Sequence, residues 1–551
     1  MSTTPPLLRA PPFAGIDAGI TIAGTASEAP ESLDPAALFA RIRAARIGGA
    51  FWEGPAALSR PASIVLRPRS ADEGATLASG LGQREAADAL WIAPSRADAT
   101  DHPEGRFAVD VDPWSALDGA GALVAHGDDE WVALACIAGV PVRVLSPGCF
   151  GAPGDEPAQL AAAAARALAA PRYRDPFTGD ATTLSATIAT LAEWRRIIDG
   201  NRGIVAACGM AWWKRDEIRR FLWCPGQPLR IVPRPAHALD LAQRHGGQVA
   251  IWPSRVSPAL LATAADKGVP LVRVEDGFVR SVGLGSNLVP PSSIVVDRQG
   301  IHFDPSGPSD LETILATTRF APDLLERARG LRETIVNAGI SKYSTDTASS
   351  VPPRQPGRRL VLVPAQVEDD MSVLAGGGGL HSNLELLRRV RRLEPDTEIW
   401  FRPHPDVDAG HRKGAVPDGE VLQLADRIVR EGGMAPLLDV VDAVHVLTSL
   451  TGFEALMRGR TVTCHGTPFY AGWGLTHDLG AIPDRRERTL TLDELVAGVL
   501  ILYPRYLDPV TGLPCPPEVL VRRMAENRAP NRLGWVAPLR RWQGRFMAMW
   551  R

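Results

Sequence analysis

Carboxylates, a histidine and a cluster of hydroxyls fall at the ends of short apolar runs in this 551-residue chain, where a parallel sheet would present them to a ligand. Ser449, Leu450, Thr451, Gly452, Phe453 and Glu454 follow the apolar run Val444–Leu447 and lead into a helix predicted from Phe453. Free N–H groups and the positive end of a helix dipole suit a phosphate there, and the hydroxyls of Ser449 and Thr451 either donate to it or cap the helix. Glu454, one turn in, is placed to accept from ribose hydroxyls, or else lies solvated on an ordinary helix.

Four further segments carry similar double readings. In Gly466–Thr476, Phe469, Tyr470 and Trp473 sit among Gly466, Gly472 and Gly474. Such a loop brings backbone close to a base or sugar and offers it flat faces, and a packed structural turn has the same composition. Glu275 and Arg280 flank a turn at the end of another predicted strand. Glu275 is suited to general acid/base work and Arg280 to holding a carboxylate or phosphate, or both belong to a charged turn around Gly277. Glu368, Asp369 and Asp370 precede a tetraglycine, Gly376–Gly379, which suggests a loop bordering a site with a carboxylate available as nucleophile. His404 lies between Pro403 and Pro405, two rings that limit backbone freedom and would hold the imidazole, or neighbouring Arg402, in one direction. Glu368, Asp369, Asp370 and His404 are potential metal ligands, but their spacing matches no zinc or calcium pattern, and no metal or cofactor is expected.

Elements that could position these residues follow from the hydropathy pattern. From about Ile204 onward, short apolar runs at Val249–Trp252, Leu271–Val274, Arg359–Val363, Glu398–Phe401, Val444–Leu447 and Val462–Cys464 alternate with helical patterns such as Asn383–Arg392. That alternation predicts an α/β fold of two Rossmann-like lobes with a cleft between them, joined by the Pro-rich linker Ser349–Gly357. The N-terminal third repeats the last lobe in diverged form. Val65–Pro68 aligns with Val361–Pro364, Leu90–Pro94 with Ile399–Pro403, Ala135–Val142 with Ala455–Val462, and Tyr173–Gly179 with Tyr506–Gly512. On this alignment Gly74 stands opposite Asp370, Ser95 opposite His404 and Leu134 opposite Glu454, so the first copy reads as a scaffold or docking lobe without chemistry. The expected divisions are 1–200 for that degenerate lobe, 201–350 for an acceptor-side lobe, 351–527 for a nucleotide-sugar lobe and 528–551 for a basic aromatic tail.

Composition narrows the function class. A formal charge of −2 from 60 basic and 62 acidic residues gives no general attraction to nucleic acid. Six cysteines without a CxxC pair suggest neither a zinc site nor a disulfide framework and fit a reducing cytoplasm. No leader pattern or long apolar run is evident, so neither secretion nor a spanning helix is expected. Trp535, Arg540, Arg541, Trp542, Arg545, Phe546, Trp550 and Arg551 mix cations and aromatics as membrane-surface segments do, or form a plain packed terminal helix.

Taken together, EDGFVRSVGLGSNLVPPSSIVVD (275–297), VLVPAQVEDDMSV (361–373), RPHPDV (402–407), SLTGFEALMRG (449–459), PFYAGWGL (468–475) and ILYPRYLDPVTG (501–512) resemble the KpsC/LipA-type capsule polysaccharide proteins. These are retaining β-Kdo glycosyltransferases that build an oligo-Kdo linker on a lipid, and the resemblance spans roughly Ile204 to Asn527. It implies a GT-B-like pair of Rossmann-type lobes behind the degenerate one, with CMP-β-Kdo as donor. The acceptor would be a lipid-linked oligo-Kdo chain, the partners other capsule biosynthesis and export proteins, and the location the cytoplasm, peripheral at the inner face of the membrane.

By the same resemblance Asp370 fits a nucleophile, with Asp369 its competitor, Glu275 the acid/base, and His404 a group stabilising donor or leaving phosphate. Ser449, Thr451, Gly452 and Glu454 fit the CMP pocket, with Arg402, Tyr470 and Gly472 as further donor-binding candidates and Arg280 as another site residue. Typical members carry two complete transferase modules, whereas here only the second is complete, which implies a single linkage type or reliance on a partner enzyme for the other. Two other functions fit the same residues: a non-catalytic capsule assembly or export factor, and a transferase using another nucleotide sugar.

Overall fold

The computed structural model describes residues 6–25, 34–93, 106–280, 289–341 and 351–526. Ser95, the glycine turn Gly283–Ser286 and the basic aromatic tail lie outside the described residues. The chain divides into two compact units after Arg202, with Leu222–Pro228 packing in the first.

The first unit holds β1 (Thr21–Thr25), β2 (Val65–Leu66), β3 (Leu90–Ile92), β4 (Arg106–Ala108), β5 (Leu123–Ala125), β6 (Val142–Val144), β7 (Pro171–Arg174) and β8 (Ala181–Thr182). Its main sheet is parallel with order β4-β3-β2-β5-β6, and a small antiparallel sheet runs β1-β7-β8. Strands β2, β3 and β5 are buried along their whole length, as all-parallel strands covered on both faces must be.

The second unit holds two larger sheets. β9 (Ile204–Cys208), β10 (Arg230–Ile231), β11 (Gln248–Ile251), β12 (Leu271–Asp276) and β13 (Ser293–Asp297) form the first lobe's sheet. The second lobe contributes β14 (Leu360–Pro364), β15 (Glu398–Arg402), β16 (Arg427–Ile428), β17 (Ala443–Val446), β18 (Thr461–Cys464) and β19 (His477–Asp478), in the order β16-β15-β14-β17-β18-β19. The chain then returns to the first lobe as β20 (Pro504–Leu507) and β21 (Pro514–Cys515), so the first sheet reads β10-β9-β11-β12-β13-β20-β21. This corrects the expected boundary, because residues 504–515 lie within the span assigned to the second lobe. β20 pairs antiparallel with β13 and so satisfies a sheet edge that would otherwise leave backbone groups unpaired.

The repeat seen in sequence is visible in topology: β4-β3-β2-β5-β6 and β16-β15-β14-β17-β18 have the same strand order. Tyr173 and Tyr506, paired by the alignment, each donate a hydroxyl to a nearby backbone carbonyl, of Leu168 and Leu500 respectively, at 2.7 Å.

Local sequence explains the elements that carry the site. The helix Asn383–Leu393 buries Leu386, Leu387 and Val390 and turns its arginines outward, with Ser382 as N-cap and Arg391 and Arg392 at the negative end of its dipole. Its apolar face packs on Val361, Val363, Ile399 and Phe401 of β14 and β15. Each such buried side chain contributes roughly 1.5–3 kcal/mol. The matching core of the first lobe sets Leu239 and Ala242 against Ala206, Cys208, Val249 and Ile251. No helix among the described residues is long and apolar enough to cross a membrane.

Candidate active site

A cavity of about 570 Å³ lies in the second unit, lined from both of its lobes. The first lobe supplies Glu275, Asp276 and Phe278 at the end of β12, and His302 and Phe303 beyond β13. The second supplies the segments beyond the carboxyl ends of β14 to β18, where parallel sheets leave strand ends and helix N-termini open to a ligand.

After β17 the chain turns at Thr448 and enters the helix Leu450–Met457. That helix begins three residues before the predicted start, because the Ser449 hydroxyl accepts the Thr451 N–H at 3.2 Å and caps it. Ser449 also donates to Thr451 Oγ1 at 3.1 Å. Ser449, Leu450, Thr451 and Glu454 all line the cavity, so helix N-terminus, two hydroxyls and a carboxylate share one wall. Glu454 is 6% exposed and faces a ligand space rather than bulk water.

Asp370 lines the same cavity and is the N-cap of the short helix Met371–Gly376. Its Oδ1 accepts both the Ser372 N–H at 3.0 Å and the Ser372 hydroxyl at 2.7 Å, which fixes the carboxylate's direction. Asp369 points elsewhere: it pairs with Arg412 at 3.0 Å, is about half exposed and is not among the lining residues. Geometry thus separates two neighbours that the sequence leaves in competition.

His404 caps a turn through Nδ1, which accepts the Asp406 N–H at 3.2 Å. An Nδ1 that accepts leaves the ring proton on Nε2, so the imidazole is a donor on its other side. Glu275, with Asp276 beside it, borders the cavity from the first lobe.

Five expected contacts take other roles. Arg402 lines the cavity, yet its guanidinium donates to the carbonyls of Val429 at 3.1 Å, Glu431 at 2.7 Å and Gly432 at 2.6 Å. It organises the loop beyond β16, and burial pushes its pKa down. Arg280 is fully buried, where it binds Asp276 at 2.8 Å and the Val289 carbonyl at 2.8 Å, and is no open anion site. Tyr470 is fully buried behind the helix entry. Its hydroxyl donates to the Ser449 carbonyl, and burial pushes the phenol well up. Its ring packs so closely on Gly452 that a Cβ there would come within 2.2 Å of the hydroxyl. Gly472, at φ +86°, donates its N–H to Asp478 at 2.9 Å and, like Tyr470 and Gly452, is not a lining residue. These three back the Ser449–Glu454 wall from behind.

Residues that sequence reasoning missed are Gln366, Thr448, His302, Phe303 and Asp276 on the cavity wall, and Lys214 behind it. Gln366 lies within the run leading to the three acids, and Asp276 adjoins Glu275, so both had a positional signal. Lys214 had none. Among the described residues no three His, Cys, Asp or Glu side chains converge as metal ligands.

The first unit shows how the same topology looks with these groups replaced. Its helix Glu130–Ala138 follows β5 as Leu450–Met457 follows β17, but its N-cap is Asp129, bonded to the Trp131 N–H at 3.0 Å and to Arg67 at 2.9 Å. A carboxylate occupies the position a phosphate would need. Leu134 is fully buried and stands five residues after its cap, as Glu454 does. The helix after β2 is capped by Ser70, two residues beyond Pro68, whereas Asp370 caps its helix six residues beyond Pro364. Element by element, Ser70 rather than Gly74 therefore corresponds to Asp370, and the alignment is corrected for a shorter loop.

Residues 247–506 match the family described as Capsule polysaccharide biosynthesis protein. The chain is 41% identical over 340 residues to the capsule polysaccharide modification protein LipA of Neisseria meningitidis serogroup A, an alignment covering 62% of this chain and 48% of that protein. It is 43% identical over 277 residues to the lipopolysaccharide-processing protein LpsZ of Rhizobium meliloti, covering 49% of this chain and 62% of that one. Among solved structures, the β-Kdo 2,4 transferase of Thermosulfurimonas dismutans KpsC aligns with a TM-score of 0.51 and 32% identity, over 58% of this chain and 98% of that one. The chain spans about half the length of the LipA proteins it matches.

Proposed function

This chain belongs to the KpsC/LipA-type capsule polysaccharide family, and from that premise we propose that it is a retaining Kdo transferase, moving Kdo from CMP-β-Kdo to a lipid-linked Kdo acceptor in capsule linker synthesis. One observation carries the reading: Glu275 from one lobe meets Asp370, His404 and the Ser449–Glu454 wall from the other around a single cavity.

In this reading the CMP phosphate sits at the N-terminus of Leu450–Met457, where backbone N–H groups and the Thr451 hydroxyl, itself accepting from Ser449, donate to it. Glu454 accepts from the ribose. Retention follows from two displacements. Asp370 attacks the anomeric carbon as the bond to CMP breaks, and the leaving electron pair goes to the phosphate, steadied by the Nε2–H of His404. The acceptor oxygen then attacks the same carbon, the bond to Asp370 breaks with its electron pair returning to the carboxylate, and the hydroxyl proton passes to Glu275. No metal is needed for either displacement. The first unit acts as a scaffold, because Asp129 and Leu134 stand where phosphate and ribose contacts would be. On this reading the protein works with other capsule assembly proteins at the inner face of the cytoplasmic membrane, where it meets its lipid-linked acceptor.

Incubation with CMP-Kdo and a Kdo-terminated lipid analogue tests this. CMP release with one added Kdo, and a product anomeric configuration matching the donor by NMR, is the expected result. Absence of both transfer and CMP binding would overturn it, and turnover with a different nucleotide sugar alone would change the donor.

A further inference from the structure

Behind Glu275 lies a buried charge cluster whose membership the sequence does not reveal. Asp276 is gripped at both oxygens: Lys214 reaches Oδ1 at 2.9 Å and Arg280 reaches Oδ2 at 2.8 Å. Both cations are almost wholly buried. Lys214 Nζ also lies 3.5 Å from the centroid of the Trp252 ring and 5.0 Å from that of Trp213, and Arg280 lies 5.8 Å from the centre of Trp213. Two indole faces and one carboxylate therefore wall the two cations off from water. Burial pushes the Lys214 ammonium down, and the charges of Asp276 and Glu275 push it back up.

The charge balance of this group has a chemical consequence. Among these three groups two cations face one carboxylate, and a buried positive charge is costly unless a further negative group offsets it. Glu275, the preceding residue on β12, accepts the Asp276 N–H through Oε1 at 3.1 Å and acts on the charge of Lys214, and it offsets that positive charge only as a carboxylate. A glycosyl phosphate leaves as a phosphate monoester that needs no proton, so the single proton transfer required of Glu275 is acceptance from the acceptor hydroxyl, which calls for the ionised form.

We propose that Lys214, with Arg280, is a positioning residue that locks Asp276 and keeps Glu275 as the carboxylate that accepts the acceptor's hydroxyl proton. This rests on the reading of Glu275 as the proton acceptor of glycosyl transfer. The other titratable and charged groups that line the cavity with Glu275 and Asp276 are His302 on the same lobe and Asp370, His404, Arg402 and Glu454 on the other. All of them are common to the wild type and the variants below, so differences between those proteins report the cluster.

The test is a carboxyl titration of the full chain carrying 13C-labelled glutamate, with the Glu275 resonance assigned by its loss in Glu275→Gln. Lys214→Met should raise the Glu275 midpoint by about one pH unit or more. Asp276→Asn should lower it, since it removes a negative charge beside Glu275, and Lys214→Arg should leave it near the wild-type value. The acid limb of the transfer rate should follow the midpoint in each variant. An unmoved or lowered midpoint in folded Lys214→Met overturns the proposal. If that variant does not fold, a midpoint that fails to fall in Asp276→Asn overturns it equally. Wild-type protein that does not transfer Kdo at any pH defeats the reading of the site, whereas an unmoved midpoint in a transferring enzyme defeats this inference alone.

Discussion

The side chain of Gln366 holds the backbone of Thr448: its Oε1 accepts the Thr448 N–H at 2.8 Å and its Nε2 donates to Thr448 Oγ1 at 3.1 Å. A residue beyond β14 thereby sets the entry to the helix beyond β17, and both residues line the cavity. Gln366→Ala leaves a buried N–H without its acceptor, at a cost of about 1–3 kcal/mol. CMP affinity measured by calorimetry should fall by about tenfold if most of that cost is borne by the donor wall. Unchanged affinity would mean that the wall holds its shape without Gln366.

The separation of Asp370 from Asp369 makes an unequal pair of variants. Asp370→Asn should abolish transfer and any Kdo-sized mass adduct seen by intact-protein mass spectrometry after CMP-Kdo exposure. Asp369→Asn loses only an exposed pair with Arg412, of the kind worth about 0–1 kcal/mol, and should transfer within a few-fold of wild type. Transfer kept in Asp370→Asn and lost in Asp369→Asn would return the nucleophile to Asp369.

Gly452 is packed under the Tyr470 hydroxyl, and a methyl group at 452 cannot be accommodated without moving a fully buried ring. Gly452→Ala should cost about 1–3 kcal/mol by overpacking and also weaken CMP binding. Tyr470→Phe, which removes only the hydroxyl that holds the Ser449 carbonyl, should weaken CMP binding with a smaller loss of stability. Thermal melts run beside CMP titrations separate the two effects.

His445 and His465, buried on and beside β17 and β18, share one hydrogen bond of 3.1 Å. Burial is the main cause that lowers each, from 6.5 to about 4. Between those values the unfolded chain binds protons that the native state refuses, so stability rises with pH across the window. The contribution is complete above about pH 6.5 and is lost as pH falls toward 4. Urea midpoints should therefore decline already between about pH 6.5 and 5, before most carboxylates titrate. A His465→Leu variant should flatten that decline, and a flat wild-type profile over the same range would contradict the prediction.

Much of the second unit was legible because its signals are local. Strands β11, β12, β14, β15, β17 and β18 all appear as apolar runs bounded by turn residues, displaced from the predicted limits by at most two residues. Asp370, His404 and Ser449 sit at strand ends, where a parallel sheet exposes whatever follows. For Arg402, Arg280 and Tyr470 the sequence left out one thing. Their types suit a ligand contact, but only the folded chain shows which carbonyls or carboxylate already hold their polar groups.

The sequence by itself determined the alternating α/β order, the internal repeat and the family resemblance, since periodicity and motif spacing are properties of neighbours along the chain. Tertiary structure decided that β20 and β21 complete the first lobe's sheet and that Asp370 rather than Asp369 faces the cavity. It also decided that Lys214, 62 residues from Asp276 in sequence, stands behind Glu275. Those outcomes depend on long-range pairing and on burial. A chain of letters carries no record of which polar groups will find each other once water is excluded.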